Sequence, residues 1–370
     1  MINADRLKKN WSLVASHGEQ VPLYFYSTLF LTHPEVRDMF PMNMASQRDK
    51  LVAALGTVIS NVDTIERVVP HLQQLGRDHR KFGALRDHYP AVGQALLATL
   101  EHFSGPHWTP AIASDWSAAY DLVAQTMADA ADEAAHRAPA WWDAEVVAHD
   151  RRDLDTAVIT IATSPRLDYL PGQSVTLCTN WRPRVWRYYT PANAPRADGT
   201  IDLHVRAVDG GQVSTALVTL VQPGDAIRVG PAVGTGLVMR REAAPRPIVM
   251  LAGGTGLAPM KALVEQVAAA PRPVALYWGS RAASGLYDLD GMRSMAAEYD
   301  WLDFAPCADE DLFGRGVPSG SPAELALAHR RCTGAEIYLC GPTGMVEASH
   351  KLLVDSGVPA GAIHYESLGE

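Results

Sequence analysis

The sequence has few cysteines, and none of them are close together. The four in 370 residues are Cys178, Cys307, Cys332 and Cys340. Their spacing excludes a disulfide framework, a zinc site and an iron–sulfur cluster carried by cysteines of this chain. We therefore expect the four cysteines to be small buried side chains of a protein in a reducing compartment.

Long apolar runs and an excess of positive charge are also missing. No run approaches the ~18–20 residues that cross a bilayer, and the start "MINADRLKKNWS" lacks the apolar core of a secretion signal. The net charge is −9, from 32 Lys and Arg against 41 Asp and Glu. These features predict a cytoplasmic protein with no nucleic-acid partner and no transmembrane segment.

Three stretches of different character follow one another. Residues 1–137 show helical spacing of Ala, Leu and Val; residues 141–241 contain short β-rich runs such as "TAVITIAT" and "SVTLCT"; residues 245–370 alternate strands and helices. The sequence therefore predicts a multi-domain chain. An all-α domain comes first, an antiparallel β-barrel second, and an α/β domain with a parallel sheet third.

A glycine-rich loop opens a helix in the third stretch. In "VMLAGGTGLAPMKALVEQV", Gly253, Gly254 and Gly256 separate a buried strand from a helix whose first turn contains Pro259. Glycines allow close backbone approach, and free N–H groups at a helix start bind anions such as a dinucleotide pyrophosphate. A tight strand-to-helix turn needs glycine for steric reasons as well, so this loop alone does not decide between the two interpretations.

The second stretch carries two further anion-binding patterns. In "RVWRYYTPAN", Arg187, Tyr189 and Thr190 on one strand combine a phosphate-pairing guanidinium, an aromatic face and a hydroxyl, which together can hold a flavin. In "DGGQVSTALVTL", two glycines turn the chain, and we expect Ser214 to cap a helix whose amides bind a second phosphate. An edge strand with surface Arg and Tyr is the alternative.

Four motifs occur in a fixed order along this part of the chain. They are Arg187, Tyr188, Tyr189, Thr190; then Gly210, Gly211, Gln212, Val213, Ser214; then Gly254, Thr255, Gly256, Leu257, Ala258, Pro259; and finally Tyr338, Leu339, Cys340, Gly341, Pro342. This order resembles the ferredoxin–NADP⁺ reductase superfamily. The resemblance implies a barrel that binds FAD and a sheet domain that binds NADH or NADPH, with Cys340 close to the nicotinamide.

The resemblance also implies which residues contact each cofactor. The FAD contacts are the first two motifs together with Glu366. The NAD(P) contacts are Gly253, Gly254, Thr255, Gly256, Pro259, Ser280, Arg281, Cys340, Gly341 and Pro342. Ser280 and Arg281 follow a strand, where they can contact a 2′-phosphate or Arg281 can stack on adenine. Both NADH and NADPH are therefore possible, with a slight preference for NADH.

The N-terminal helices contain three polar residues on apolar faces. His79 lies in the helical stripe formed by positions 65, 68, 69, 72, 75 and 76. Tyr26 shares a face with Leu23 and Leu29, and Gln47 shares one with Leu51 and Ala54 among others. Each residue can be an ordinary polar group at the edge of a core. Together, a histidine, a phenol and an amide can also bind a haem and hydrogen-bond its ligand.

The segments "FYSTLFLTHPEVRDMF", "SQRDKLVAAL" and "DHRKFGALRDHYPAVGQALLATL" resemble the globin domain of bacterial flavohaemoglobins, and the flavin–nicotinamide region completes the same architecture. The resemblance implies haem b. The implied roles are His79 as proximal iron ligand, Tyr26 and Gln47 as distal hydrogen-bond donors, Phe40 on the haem face, Leu51 over the distal iron site and Tyr89 in the proximal network.

The resemblance further implies an oxidoreductase that passes electrons from NAD(P)H through FAD to haem and converts nitric oxide and dioxygen to nitrate. The small-molecule partners are then O2, NO and NAD(P)H, and we expect a monomer. Several positions depart from the best-known pattern. The proximal glutamate aligns near Ala131 or Asp132, an aromatic is replaced by Ser174, and the C-terminal aromatic is replaced by Leu368.

These departures resemble a second, actinobacterial-type branch of flavohaemoglobins that is linked to other electron transfer, including oxidation of a small hydroxy acid such as D-lactate. Three functions therefore stay open at this point. They are a nitric oxide dioxygenase, a flavohaem enzyme that oxidises an organic donor, and an oxygen-binding or sensing globin. The last is disfavoured because a sensor has no need of a complete reductase.

Overall fold

The computed structural model describes residues 2–239, 246–310 and 316–368, with the side chains of 367 and 368 outside the described part. The chain divides into two compact units, residues 1–140 and 141–370. Within the described ranges, no helix is long and apolar enough to cross a membrane.

The first unit is entirely helical, as the sequence predicts. Its helices are α1 (Ala4–Ala15), α2 (Gln20–Thr32), α3 (Ala45–Ser60), α4 (Val69–His79), α5 (Tyr89–Ser104) and α6 (Pro110–Ala135). The Asn3 side chain caps α1 by accepting from the Arg6 N–H, and Thr109 caps α6 in the same way. The main core includes Leu7, Leu29 and Leu100, all fully buried.

Helix α4 approaches α6 closely at Gly76. A Cβ atom there would collide with the backbone of Met127, so only glycine allows the two helices to come this near. Beside this contact Val68, Leu72 and Met127 form a small second core. His79, one turn beyond Gly76, is therefore held at a position set by backbone-to-backbone packing.

The second unit begins with a nearly closed antiparallel barrel. Its strands are β1 (Trp142–Arg151), β2 (Thr156–Thr163), β3 (Val175–Thr179), β4 (Arg187–Tyr189), β5 (Thr200–Arg206) and β6 (Ala226–Val229), with helix α7 (Gln212–Thr219) after β5. The strand order is β4-β3-β6-β1-β2-β5. A single bridge between Pro191 and Leu203 joins the two outer strands and nearly closes the barrel.

A five-stranded sheet with all strands parallel follows. The strands are β7 (Ile248–Gly253), β8 (Val274–Ala282), β9 (Leu302–Glu310), β10 (Glu336–Pro342) and β11 (Ile363–Leu368); the helices are α8 (Leu257–Ala268), α9 (Leu289–Glu298), α10 (Pro322–Ala328) and α11 (Thr343–Asp355). The order β11-β10-β7-β8-β9 changes direction between β7 and β10. Ligands of such sheets bind beyond the carboxyl ends of the strands at this switch point.

Candidate cofactor sites

His79 is the last residue of α4 and is half-buried. Its Nδ1 lies 2.7 Å from the carbonyl oxygen of Leu75. A carbonyl can only accept, so Nδ1 carries the proton and Nε2 keeps its lone pair. Burial lowers the pKa of the imidazole, more than the bond to Leu75 raises it. The ring is therefore neutral and presents a metal-binding nitrogen.

The expected carboxylate partner of His79 is absent at both aligned positions. Ala131 has no polar side chain, and it follows Met127 by one turn on the face of α6 that meets α4. Asp132 is exposed and accepts from the guanidinium of Arg86 at 2.6 Å. The other member of the expected proximal network, Tyr89, packs against the second core, and burial raises the pKa of its hydroxyl.

Tyr26 is buried on α2 inside an aromatic cluster. Its ring centroid lies 4.9 Å from that of Phe25, 5.8 Å from Phe30 and 5.6 Å from Phe40. Burial raises the pKa of Tyr26 to about 12, against a smaller lowering by its contact with Gln47. The hydroxyl is therefore protonated at neutral pH. Its contact with the Gln47 backbone carbonyl, at 3.4 Å, is long for an O–H donor and leaves the hydroxyl available to a ligand.

The structure brings three of the predicted distal residues into one cluster. Phe40 and Leu51 are partly buried and pack on the core that contains Tyr26, and Gln47 begins the half-buried face of α3. The prediction for Leu23 is wrong, because this side chain is 45% exposed. The buried stripe of α2 centres on Leu29, from which Leu23 is rotated by ~120°.

The predicted flavin strand is short and its side chains alternate. Arg187 and Tyr189 lie on one face of β4 and Tyr188 on the other; Thr190 follows immediately and is buried. Arg187 is exposed and donates to the Trp186 carbonyl oxygen at 2.9 Å. Burial raises the pKa of the Tyr189 hydroxyl, so this ring stays neutral.

Ser214 does not cap α7, contrary to the prediction. The cap position is occupied by Gly211, which has no side chain; the Ser214 hydroxyl accepts from the Val208 N–H and donates to the Gly211 carbonyl. Gly210 has φ +72°, which explains the glycine at this turn. Because no side chain caps α7, the amides of Gln212 and Val213 stay available to an anion.

A buried hydrogen-bonded chain connects the barrel with the parallel sheet. The hydroxyl oxygens of Ser174 and Thr190 lie 3.0 Å apart, and Ser174 Oγ donates to Glu366 Oε1 at 3.3 Å. Burial raises the pKa of the Glu366 carboxyl, and the bond from Ser174 opposes this effect. Ser174 thus has a partner on each side, which its position in the sequence does not indicate.

The glycine-rich loop lies at the switch point of the parallel sheet, as expected for a nucleotide site. Gly254 has φ +52°, and a Cβ on Gly256 would collide with the Cys340 carbonyl. Thr255 lies between them, and Pro259 falls in the first turn of α8. The Trp278 Nε1–H donates to the Gly254 carbonyl oxygen at 2.9 Å. The buried Trp278 therefore positions the loop. The sequence did not indicate this role, because Trp278 lies in an ordinary apolar strand.

The C-terminal motif faces the loop from β10. A Cβ on Gly341 would lie 3.1 Å from the Cα of Gly253, so the two glycines allow β7 and β10 to approach. Cys340 is fully buried opposite Glu366 in the strand register, and burial raises the pKa of its thiol. A protonated thiol is not a nucleophile. Pro342 is exposed at the start of α11.

Ser280 and Arg281 lie near the carboxyl end of β8, at the same edge of the sheet. Ser280 is half-buried against Gly285, where a Cβ would collide with its hydroxyl, and Arg281 is exposed. This position suits either a 2′-phosphate or an adenine ring.

Three family models match successive parts of the chain. They are Globin over residues 23–127, Oxidoreductase FAD-binding domain over 143–236 and Oxidoreductase NAD-binding domain over 250–351. The flavohemoprotein of Rhizobium meliloti is 25% identical and aligns with 99% of this chain and 97% of its own length. The chain therefore has the domains, and the domain order, of a flavohaemoglobin.

Other relatives agree with this assignment. The flavohemoprotein of Deinococcus radiodurans is 28% identical, with 96% of this chain and 93% of the relative covered. The flavohemoglobin of Malassezia yamatoensis, solved with bound FAD and haem, superposes with a TM-score of 0.72 at 18% identity, over 99% of this chain and 98% of that one. At that identity the superposition supports the fold.

The cofactors of this chain are haem, FAD and a nicotinamide nucleotide, and it is an oxidoreductase that passes electrons from NAD(P)H to haem. The described residues fit these groups. The neutral imidazole of His79, whose Nε2 keeps its lone pair, fits an iron whose other ligands come from a porphyrin. The uncapped start of α7 and the glycine contacts at β7 and β10 fit phosphate groups.

Proposed function

We propose that this chain is a nitric oxide dioxygenase, which converts nitric oxide and dioxygen to nitrate with electrons from NADH or NADPH. The observation that carries the proposal is the buried, protonated hydroxyl of Tyr26, whose contact with the Gln47 backbone carbonyl is long. Dioxygen gains negative charge when it accepts an electron, and a fixed O–H donor stabilises that charge in an apolar pocket.

The proposed division of labour follows the three regions of the sequence. Residues 1–137 hold haem, 141–241 hold FAD, and 245–370 hold the nucleotide; the limit between the last two lies at residues 240–245, outside the described residues. Bound there, the groups supply a hydride carrier, a flavin that divides two electrons into single steps, and an iron that takes one electron.

The chain's own side chains orient and protect the reactants. His79 offers its Nε2 lone pair because Leu75 fixes the opposite nitrogen as a donor. Phe40 and Leu51 provide an apolar wall that excludes water near Tyr26. Arg187 and the amides of α7 bind flavin phosphates, and the loop Gly253–Gly256 binds the nucleotide pyrophosphate.

Anaerobic rapid mixing tests the proposal. We expect NADH or NADPH to bleach the flavin absorbance first and to shift the haem spectrum afterwards. Addition of oxygen and a known amount of nitric oxide should then yield an equal amount of nitrate. Nucleotide oxidation without nitrate formation would rule out the dioxygenase and leave the electron-transfer chain intact.

Oxidation of a small organic donor such as D-lactate is the second candidate function. The observation that favours it is the missing carboxylate beside His79, since a less electron-rich imidazole makes the iron less able to pass charge to oxygen. Haem reduction by the hydroxy acid, with no reduction by either nucleotide, would favour this candidate. A purely oxygen-binding globin would show neither reaction.

A further inference from the structure

Ser174 has an unusual position between two groups that approach the flavin site from different elements. Its own backbone is locked, because its N–H and carbonyl each exchange a 2.8 Å bond with Val233. Its side chain is 5% exposed and contacts Thr190 on one side and Glu366 on the other. A serine hydroxyl has one proton and two lone pairs, so it can donate to only one of these neighbours at a time.

We propose that Ser174 is a positioning residue that transmits the protonation state of Glu366 to Thr190. When Glu366 is ionised, its oxygen can only accept, so Ser174 donates to it and Thr190 donates to Ser174. Thr190 then offers lone pairs alone to its remaining neighbour. The inference rests on the proposed placement of the flavin against Thr190.

Protonation of Glu366 reverses the chain. When Glu366 takes a proton from water on Oε1, this new O–H donates a hydrogen bond to Ser174. Ser174 in turn donates a hydrogen bond to Thr190, and the Thr190 O–H can then donate to its remaining neighbour. Each hydroxyl keeps its proton and only rotates, so no bond other than the new O–H on Glu366 is formed. A flavin ring nitrogen beside Thr190 would accept a hydrogen bond when the flavin is oxidised and donate one when it is reduced. The donor state of Thr190 therefore suits the oxidised flavin, and the acceptor state suits the reduced flavin.

Among the described residues, few groups surround the Glu366 carboxyl and can affect its protonation. From β10 it faces Cys340, whose buried thiol stays protonated. From the barrel it contacts Ser174, and Thr190 lies one hydroxyl further along the chain. From α11, His350 contacts Tyr365, whose side chain lies on the face of β11 opposite to that of Glu366. The carboxyl is half-buried, so it can exchange its proton with water, and burial raises its pKa while the hydrogen bond from Ser174 opposes that rise.

The test measures the midpoint potential of the bound flavin against pH in the full-length, cofactor-loaded protein. In the unmodified protein we expect a change of slope at the pKa of Glu366. Ser174→Ala should remove the slope change, retain FAD and slow flavin reduction by NAD(P)H ~10-fold, the loss expected for one hydrogen bond to a charged group. Ser174→Thr, which keeps the hydroxyl, should restore both properties.

Two further variants keep the inference falsifiable if Ser174→Ala does not fold. Glu366→Gln cannot ionise and should also remove the slope change; persistence of the slope change in either variant overturns the relay. Thr190→Val tests the flavin placement separately. If it leaves FAD affinity and potential unchanged, the placement fails; if it shifts the potential while Ser174→Ala does not, the placement stands and the relay fails.

Discussion

The Nδ1–H of His79 donates to the carbonyl oxygen of Leu75, one turn earlier on the same helix, at 2.7 Å. The helix itself therefore fixes the tautomer of His79, the proposed proximal ligand. A neutral carbonyl is a weaker partner than a carboxylate, so it makes the imidazole less electron-rich. The chemistry expected of the haem depends on this local bond.

Replacement of His79 by Ala should abolish haem retention, because it removes the Nε2 lone pair that we propose binds the iron. The measurement is the Soret absorbance after gel filtration. His71→Ala, an exposed histidine on the same helix, is the matched control and should keep full occupancy. Haem retained by the His79 variant would show that iron is held elsewhere.

Ala131→Glu should supply the missing carboxylate and strengthen the electron donation from His79. We expect a higher iron–histidine stretching frequency in resonance Raman spectra of the ferrous protein and a lower haem midpoint potential. Ala131→Gln has nearly the same size without the charge and should change both values much less. An unchanged frequency in the Glu variant, combined with lower stability, would mean that the carboxylate does not reach the imidazole.

Tyr26→Phe should accelerate oxygen release about 10-fold, the cost of one buried hydrogen bond to a partly charged ligand. Because the pKa of Tyr26 is about 12, the release rate of the unmodified protein should be constant from pH 6 to about 10. Stopped-flow ligand replacement measures both. Tyr24→Phe is the control, since Tyr24 stacks on His102 instead of facing the distal cluster; equal rates in the two variants would remove Tyr26 from the pocket.

The unfolding free energy should fall as the pH is lowered below ~6.5, the usual pKa of an unfolded histidine. His204 is buried with Nδ1 2.8 Å from the Tyr287 hydroxyl, and burial together with Lys261 and Arg152 lowers its pKa well below that value. The native state thus binds fewer protons than the unfolded state between the two pKa values, and stability rises with pH in that window.

The slope contributed by His204 should approach 1.4 kcal/mol per pH unit, the value for one proton. His204→Gln keeps hydrogen-bonding capacity without titration and should flatten this part of the curve in urea denaturation. His71→Gln, at an exposed site, should leave the slope unchanged. A slope that survives in the His204 variant would assign the effect to other groups.

Local pattern was sufficient for the elements around each site. The apolar run "TAVITIAT" predicted β2 to the residue, and the helical stripe placed His79 on the same face as Leu72 and Gly76. Leu23 was misplaced because every residue of α2 around it is apolar or aromatic, so the phase of the buried stripe depends on which neighbours pack against it. Ser214 was misjudged because its hydroxyl serves the turn at Val208 and not the start of the helix.

The sequence by itself determined the order of the three regions and the residues of each motif, because periodicity and turn chemistry depend on neighbours along the chain. Only the tertiary structure decided which partners those residues have. Ser174 and Glu366 are 192 positions apart and meet at 3.3 Å, while Asp132 turns away to Arg86. A hydrogen bond requires atoms about 3 Å apart, and packing between distant segments sets that distance.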